Sequence, residues 1–231
     1  NLLSKNLEIK KKNIIITGAN SGIGLALVKA LNINNNILAF VNKDKSNITS
    51  IEGGEIKVIN WDFSNIEPNK KNTDTIIEFK PNIIINSAAS FGSENQKFFD
   101  IDIKQFYSIF NINVFSALSI IQDSLKGKEL EQIINISSEM GSINLNKEGD
   151  YYYYRTSKTL LNSITKNISI DLKQRNISAY CVHPGSVKTK LNSGGLISPK
   201  IAAQKIINLC AENNSKFNGK FIDINKNILE W

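Results

Sequence analysis

The sequence is poor in the residues that build metal centres and covalent crosslinks. It has two cysteines, Cys181 and Cys210, and one histidine, His183, among 231 residues. Two cysteines cannot form a disulfide framework, and one histidine excludes a site with several histidine ligands, so no metal is expected. Apolar runs are short, as at 14–16 and 83–85, and none approaches the roughly 18 residues that a membrane span needs. A membrane partner is therefore not expected.

The charged residues give no sign of a nucleic-acid-binding face. The net charge is +7, but 26 of the 28 basic residues are lysines, and they are scattered along the chain. Nucleic-acid recognition favours arginines and aromatic residues clustered on one face. A hydrated lysine surface is the simpler interpretation, so no nucleic-acid partner is expected. Residues 1–13 contain no apolar segment of the secretory type, and this together with the scarcity of cysteine favours a cytoplasmic location.

Short aliphatic segments alternate with helical segments along the chain, without an internal repeat or a linker. This order is typical of an α/β fold, a single Rossmann-type doubly wound parallel sheet of about seven strands with helices on both faces. We expect one domain over residues 1–231, with ligands bound beyond the carboxyl ends of the strands. The predicted strands are 13–17, 37–41, 56–61, 82–86, 132–137, 177–183 and 220–224, and the predicted helices are 23–31, 73–79, 103–125, 152–173 and 200–212.

The first predicted strand leads through a glycine-rich loop into a helix. The loop reads TGANSGIG over residues 17–24, with its glycines spaced G-x-x-x-G-x-G. Glycines so placed let backbone N–H groups and a helix N-terminus approach a pyrophosphate. A tight turn without a ligand is the alternative. The first interpretation assigns cofactor binding to Gly18, Asn20, Ser21, Gly22, Ile23 and Gly24.

The ends of the second and third predicted strands should face the adenosine half of a dinucleotide. Asn42 and Lys43 follow the second strand, and a basic residue there can neutralise the 2′-phosphate of NADP. The sequence therefore leans towards NADP, with NAD as the alternative, although Ser21 stands where a basic residue would have helped. Asp62 follows the third strand and can accept from an adenine amino group, with Phe63 beside it. Ordinary capping of the strand end is the alternative for Asp62.

Four tyrosines stand in a row at 151–154, and only Tyr154 has a lysine four residues later, Lys158. On a helix this spacing places both side chains on one face. A phenol has an ordinary pKa of about 10, and a nearby ammonium, together with an oxidised nicotinamide, favours the phenolate. Tyr154 is thus a candidate acid/base, and Ser138, after the fifth strand, can polarise the same carbonyl oxygen. A solvent-facing helical turn is the alternative for the Tyr-x-x-x-Lys spacing taken alone.

These motifs stand in the order and approximate spacing of a known family. The glycine loop, the segments 86–89 and 184–189, Asn113, Ser138 and the Tyr154/Lys158 pair resemble the short-chain dehydrogenase/reductase family over nearly the whole chain. Segments 138–143, 154–162 and 183–185, with Trp231, resemble its C-factor or sniffer-like branch of carbonyl reductases. The family motif after the fourth strand is usually Asn-Asn-Ala-Gly; here it is Asn-Ser-Ala-Ala, and the methyl of Ala89 crowds the adenosine side.

The resemblance implies NAD(P)(H)-dependent hydride transfer between nicotinamide and a small carbonyl or alcohol. Tyr154 would be the acid/base, Lys158 would bind the nicotinamide ribose and lower the tyrosine pKa, and Ser138 would orient the substrate. Asn113 matches a fourth catalytic residue, and a local helix distortion around it would hold a water that links Lys158 to solvent. Further cofactor contacts are implied for Asn86, Ser87, Ala88, Pro184, Gly185, Val187 and Thr189. Residues 186–199 would form a short substrate lid, with a flexible hinge at the glycine pair 194–195.

A carbonyl reductase or alcohol dehydrogenase acting on a small, fairly apolar compound is therefore expected. The alternative is a catalytically silent dinucleotide-binding protein of the same fold with a signalling or regulatory role. An extended-type sugar epimerase would need about another hundred residues for a substrate domain, for which the present sequence has no room. The resemblance further implies a homodimer or homotetramer assembled through the helices predicted at 103–125 and 152–173. For His183 we expect a hydrogen-bonded structural role.

Overall fold

Seven parallel strands form one sheet at the centre of the protein. The computed structural model describes residues 8–42, 46–65, 67, 69–212 and 215–231. The strands are β1 (Asn13–Thr17), β2 (Asn36–Val41), β3 (Ile56–Asn60), β4 (Ile83–Asn86), β5 (Gln132–Ile136), β6 (Ser178–His183) and β7 (Phe221–Asp223). They lie in the order β3-β2-β1-β4-β5-β6-β7. The chain therefore winds outward from β1 in one direction and then, from β4, in the other.

Helices cover both faces of this sheet. They are α1 (Gly22–Leu31), α2 (Ser46–Thr49), α3 (Lys70–Phe79), α4 (Ile103–Phe110), α5 (Ser116–Ser124), α6 (Tyr152–Asp171) and α7 (Pro199–Ala211). A π-helical turn, Asn111–Phe115, joins α4 to α5, and short 3-10 turns lie at Phe98–Asp100, Glu139–Gly141 and Lys173–Arg175. Within the part of the chain that the structure describes, no helix combines the length and the apolar character that crossing a membrane requires.

The aliphatic character of the strands follows from burial on both sides of the sheet. Ile14 and Ile16 of β1 pack in a cluster that includes Leu27 of α1 and residues of α7. Ile15, which lies between them, packs in a second cluster with Ile120 of α5 and with α3. Successive side chains of a strand point to opposite faces, and both faces of a parallel sheet are covered. The strands at the centre of the sheet, β2, β1, β4, β5 and β6, therefore contribute to both hydrophobic clusters.

The predicted doubly wound fold is confirmed, and most element boundaries agree to within one or two residues. The largest difference is at α3, which begins at Lys70 rather than 73. Asn69 caps this helix, because its side-chain oxygen accepts a hydrogen bond of 3.2 Å from the N–H of Asn72. Helix α2 escapes prediction because four residues are too few to show a period. The helix predicted at 103–125 is continuous but contains the π-helical turn.

Two loops meet beside the carboxyl end of β1, where the winding direction changes. The Thr17 hydroxyl oxygen accepts hydrogen bonds from the N–H groups of Ser87 and Ala88, each 3.0 Å long. Gly18 has φ +64°, and a Cβ atom added to it would lie 2.8 Å from the Cα of Ala88. Only a glycine allows this close approach. Doubly wound folds bind ligands at such a switch point, so the functional site is expected here.

Gly24→Ala should destabilise the protein and deform the glycine loop. A Cβ atom at Gly24 would lie 2.2 Å from the carbonyl oxygen of Gly18, a backbone atom with no freedom to rotate away. Overpacking of this kind costs about 3 kcal/mol, and urea unfolding should show that loss. Gly194→Ala is the matched control, because the nearest atom would be 3.9 Å from its Cβ. Equal unfolding free energies for the two variants would contradict the packing assigned to Gly24.

Candidate active site

A large cleft opens at the carboxyl ends of the strands. Its volume is about 1230 Å³. Pockets for single small molecules usually measure about 300–1,000 Å³, so this one has room for an extended ligand together with a second, smaller molecule. Sixteen of the residues predicted from the sequence line it: Gly18, Asn20, Ser21, Gly22, Ile23, Asn42, Phe63, Ser87, Ala88, Ser138, Tyr154, Lys158, Pro184, Gly185, Val187 and Thr189.

The glycine loop offers backbone donors to this cleft. The first backbone hydrogen bond of α1 runs from the Leu25 N–H to the Ser21 carbonyl oxygen, and the Ser21 side chain makes no capping bond. The N–H groups of Gly22, Ile23 and Gly24 in the first turn therefore have no acceptor within the helix. Gly22 has φ +52°, and Gly22 and Ile23 line the cleft. This donor set and the helix dipole fit a phosphate group.

Aromatic rings build the wall beyond the glycine loop. Phe40, Trp61 and Phe63 pack together, with ring centroids 5.3 to 6.1 Å apart, and all three line the cleft. Asn42 lines it too and is exposed. Lys43 lies outside the described residues, so its contact with a 2′-phosphate stays a prediction. This wall gives the cleft an apolar surface on this side.

Three predicted cofactor residues have other contacts and are not among the described residues that line the cleft. Asp62 accepts a hydrogen bond of 3.0 Å from the Ser64 N–H within the turn after β3, which is the capping alternative. Gly24 is buried against the backbone of Gly18. Asn86 is buried, and its side-chain N–H donates to the Asn135 side-chain oxygen over 2.8 Å. Their contact with a cofactor stays a prediction.

Tyr154, Lys158 and Ser138 meet at the centre of the cleft. Tyr154 lies in the first turn of α6, and the Nζ atom of Lys158, one turn later, is 5.7 Å from the centroid of its ring. The Lys158 Nζ donates a hydrogen bond of 2.8 Å to the carbonyl oxygen of Ile136, the last residue of β5. Ser138 follows that strand and lines the cleft together with Tyr154, and its hydroxyl lies close enough to the Tyr154 phenol to act on the phenol pKa. The structure thus brings the three predicted catalytic groups together.

Asn113 lies in the π-helical turn, so the predicted helix distortion is confirmed. Its side-chain oxygen accepts from the Ser90 N–H over 2.7 Å, and its side-chain nitrogen donates to the Ser90 carbonyl oxygen and to the Ser157 hydroxyl, both over 2.9 Å. Ser157 in turn donates to the carbonyl oxygen of Tyr154 over 2.8 Å. Asn113 therefore links the loop after β4 to α6. The water that would join it to Lys158 stays a prediction.

Comparison with known proteins identifies the family. The family model described as short chain dehydrogenase matches residues 12–195. The chain belongs to this family. C-signal of Myxococcus xanthus is 26% identical over 136 residues, which are 57% of this chain and 82% of that protein.

Solved structures agree with that assignment. The carbonyl reductase Sniffer of D. melanogaster has a TM-score of 0.87 at 25% identity, covering 96% of this chain and 100% of that one. The NADPH-bound carbonyl reductase from chicken fatty liver, at 23% identity, has a TM-score of 0.85 with the same coverage and shows the shared fold. The predicted resemblance to a branch with carbonyl reductases and C-factor is confirmed.

Some residues of this short-chain dehydrogenase that shape the site were not predicted. The ring of Phe91 packs against that of Tyr154, with centroids 4.9 Å apart, and against that of Tyr151, at 5.5 Å. Met140 and Leu145 also line the cleft. These residues lie outside regular strands and α-helices, where the sequence has no period to mark which side chains turn inward. In the sequence, the one indication for Phe91 is its place two residues after the Asn-Ser-Ala-Ala motif at 86–89.

His183 holds the turn that follows Ser138. Its Nδ1 atom accepts a hydrogen bond of 3.2 Å from the N–H of Glu139, which requires the neutral imidazole with its proton on Nε2. Burial lowers the pKa of His183, whereas the carboxylates of Glu139 and Asp223 act in the opposite direction. The expected hydrogen-bonded role is confirmed. Among the described residues, no group of three or more potential metal-ligating side chains could hold an ion.

The loop predicted as a lid folds back on itself. Lys188 N–H donates to the Ile197 carbonyl oxygen over 2.8 Å, and the N–H groups of Leu196 and Ile197 donate to the Ser186 carbonyl oxygen over 2.8 and 2.9 Å. A Cβ atom on Gly195 would lie 2.3 Å from the backbone of Val187, so this glycine serves close packing rather than a hinge. Leu191 and Asn192, at the tip, line the cleft. The role of this loop as a lid stays a prediction.

Burial governs the two titrating groups of the site. It raises the pKa of Tyr154 to about 12, although the nearby Ser138 hydroxyl acts in the opposite direction. It lowers the pKa of Lys158 to about 8. Burial of the phenol is the largest cause of this shift, and the lowering of the tyrosine pKa expected from Lys158 together with an oxidised nicotinamide stays a prediction. The phenol carries its proton at neutral pH.

Lys158→Met should raise the stability of the folded chain near neutral pH while removing a group of the site. With a folded pKa of about 8 and an ordinary value of 10.5, the unfolded chain binds more protons between those values, so the wild type gains stability as the pH rises through them. Below pH 8 the buried ammonium costs up to about 3 kcal/mol, at about 1.4 kcal/mol per pKa unit. Methionine removes that cost.

Urea unfolding at pH 7 and pH 9.5 measures this effect. The gain of Lys158→Met over the wild type should be larger at pH 7 and should shrink at pH 9.5, because the wild-type lysine is then largely neutral. Lys104→Met, at an exposed position of α4, is the control and should show no such change. A gain that is the same at both pH values would show that the lysine is not desolvated.

Proposed function

We propose that this short-chain dehydrogenase transfers a hydride between NADP(H) and a small, fairly apolar carbonyl or alcohol, with Tyr154 as the acid/base. The observation that carries the proposal is the meeting of Tyr154, Ser138 and Lys158 in a cleft at the switch point of the sheet. A protein that only binds a nucleotide has no need of a phenol, a hydroxyl and an ammonium at one point of its cleft. The relatives named as carbonyl reductases support the same reaction class.

The cofactor would lie along the carboxyl edge of the strands. Gly22 and Ile23 would hold its phosphates through their N–H groups, and Phe40, Trp61 and Phe63 would contact the adenosine. Pro184 and Val187, on the loop after β6, would cover the nicotinamide. The nicotinamide, when bound, supplies the hydride or accepts it. Its oxidised form also adds a positive charge, which lowers the phenol pKa from the high value that burial gives.

Side chains of this protein would transfer the proton and stabilise the negative charge that develops on the carbonyl oxygen. In reduction, the Tyr154 hydroxyl donates its proton to the carbonyl oxygen, and the Ser138 hydroxyl donates a hydrogen bond to the same oxygen. A tyrosine pKa of about 12 keeps this acid protonated at neutral pH, as proton donation during reduction requires. In oxidation Tyr154 takes the proton instead, and the rate should rise with pH. Lys158 would bind the nicotinamide ribose.

The substrate end of the cleft favours an apolar molecule. Phe91, Met140, Leu145, Tyr151 and Leu191 line it beside Tyr154. These side chains offer aromatic and aliphatic surface, although charged side chains such as Lys147, Glu148 and Arg155 also line the cleft. The hydroxyls of Tyr154 and Ser138 would fix the carbonyl oxygen. The lid proposed for residues 186–199 would contribute Leu191 to this surface.

A catalytically silent dinucleotide-binding protein is the competing candidate, and the name of the relative C-signal favours it. This candidate predicts that NADPH raises the melting temperature while no carbonyl compound is reduced. The retention of Ser138, Tyr154 and Lys158 at one place in the cleft favours the enzyme.

Tyr154→Phe should abolish turnover and leave nucleotide binding intact. General acid catalysis contributes about 10²–10⁴-fold, so NADPH oxidation with a panel of aldehydes and ketones should fall at least 100-fold. Tyr152→Phe, two residues earlier on the same helix, is the matched control and should keep full activity. NADPH titrations should give the same Kd for the wild type and both variants. Unchanged turnover in Tyr154→Phe would remove the proposed acid/base.

NADPH should bind more tightly than NADH, and Lys43→Ala should reduce that difference. Loss of one charge partner of a 2′-phosphate is worth about 1.4 kcal/mol, which weakens NADPH binding about tenfold and leaves NADH binding nearly unchanged. Lys29→Ala, at an exposed position in the last turn of α1, is the control. Side-by-side titrations of the two nucleotides measure the effect. A clear preference of the wild type for NADH would refute this assignment.

A further inference from the structure

Gln96 is a buried polar residue that links two segments of the site. It lies in the loop between β4 and α4, and its side chain is 2% exposed. Its side-chain nitrogen donates to the carbonyl oxygens of Phe91 and Ser93 over 2.8 and 2.9 Å. Its side-chain oxygen accepts from the N–H groups of Tyr153 and Tyr154 over 3.0 and 3.3 Å. A primary amide has two donor hydrogens and two acceptor lone pairs, so every group of Gln96 has a partner.

Helix α6 needs this acceptor because it lacks a cap of its own. Tyr151, at the N-cap, has a left-handed conformation with φ 54° and makes no side-chain capping bond. The first backbone bond of the helix runs from the Arg155 N–H to the Tyr151 carbonyl oxygen. The preceding N–H groups therefore have no partner within the helix. Gln96 accepts from two of them and so acts as the cap from a distant loop.

The other half of the same amide holds the ring that packs on Tyr154. The carbonyl group of Phe91 is fixed by the Gln96 side-chain nitrogen, and the Phe91 ring lies 4.9 Å from the ring of Tyr154. A Cβ atom on Gly92 would come within 3.6 Å of the Gln96 side-chain nitrogen, so the loop lies closely around it. Gln96 thus determines both the backbone of Tyr154, through its N–H, and the wall against which its phenol rests.

We propose that Gln96 is a positioning residue for Tyr154, which sets the phenol at the distance and angle that proton transfer requires. The proposal rests on the proposed function, because it assigns a role in turnover. Misplacing a catalytic group by about 1 Å can cost about 100-fold in rate, so loss of this link should lower kcat. The glycine loop that would bind the nucleotide phosphates is not attached to Gln96, so the KM for NADPH should stay close to that of the wild type.

Two substitutions separate the two halves of the link. Gln96→Met keeps the length of the side chain and removes all four hydrogen bonds. Gln96→Glu keeps the acceptor towards Tyr153 and Tyr154 but, when ionised, cannot donate to Phe91 and Ser93. We expect kcat to fall at least tenfold in both variants, with the KM for NADPH within twofold. In Gln96→Glu, kcat should partly recover as the pH is lowered, because the protonated acid donates again, whereas Gln96→Met should show no such recovery.

Hydrogen exchange tests the link without any turnover. The amides of Tyr153 and Tyr154 should exchange faster in Gln96→Met and should stay protected in Gln96→Glu, as measured by mass spectrometry on peptides spanning 151–156. Circular dichroism and the melting temperature verify that each variant is folded. Gln204→Met, at an exposed position of α7, is the matched control and should match the wild type in every measurement.

The outcomes separate the two proposals. An active wild type with an unchanged kcat in Gln96→Met overturns the role of Gln96 and leaves the proposed function intact. Unchanged amide exchange in Gln96→Met overturns the link itself. A wild type that turns over no carbonyl compound overturns the proposed function and, with it, the role of Gln96 in turnover. Faster exchange with a lower kcat and an unchanged KM for NADPH supports the positioning role.

Discussion

The ammonium of Lys158 is almost completely buried, and it is held by the carbonyl oxygen of Ile136 at the end of β5. A charge in the interior of a protein persists only where hydrogen bonds compensate the loss of water. This contact therefore fixes α6 against the end of the strand. Ser138 is two residues beyond Ile136, and Tyr154 is one helical turn before Lys158. Together with the hydrogen bonds from Ser137 to Asn162 and from Asn135 to Thr165, this contact sets the relative places of all three groups.

Two side-chain amides, those of Asn113 and Gln96, join the loop after β4 to helix α6. Asn113, in the π-helical turn, binds both backbone groups of Ser90. Gln96 binds the carbonyl groups of Phe91 and Ser93. The loop after β4 is therefore held at three of its residues, and each amide also reaches α6, at Ser157 or at the N–H groups of its first turn. A site supported in this way on helices and strands keeps its geometry better than one on free loops.

The parts of this fold that could be predicted were those marked by short-range patterns in the sequence. Alternating aliphatic segments marked the seven strands, the glycine loop marked the switch point, and the four-residue interval marked Tyr154 and Lys158. Gln96 could not be predicted, because its partner Tyr153 is 57 residues away and no interval relates them. Spacing also gives proximity but not burial, and burial is what raises the pKa of Tyr154 in this structure.

Polar residues at strand ends posed a different problem. Asp62 and Asn86 resembled cofactor contacts because both follow or end a strand, where ligands bind in this fold. Their partners are the Ser64 N–H and Asn135, which only the folded chain brings into place. A polar residue that follows a strand has the same sequence pattern whether its side chain contacts a ligand or a neighbouring residue. The sequence alone therefore does not distinguish the two cases.

The pairing of Asn86 with Asn135 has a consequence for folding accuracy. The two residues are partners across β4 and β5, and the Asn135 side-chain nitrogen donates onward to the Thr165 hydroxyl of α6 over 2.7 Å. The neighbouring positions of both strands are isoleucines, which fit almost any alignment equally well. If one strand shifted by one or two residues relative to the other, these amides would lie among aliphatic side chains without their native hydrogen-bond partners. The hydrogen bonds from Asn86 to Asn135 and from Asn135 to Thr165 thus favour the native register of β4 and β5 over shifted ones.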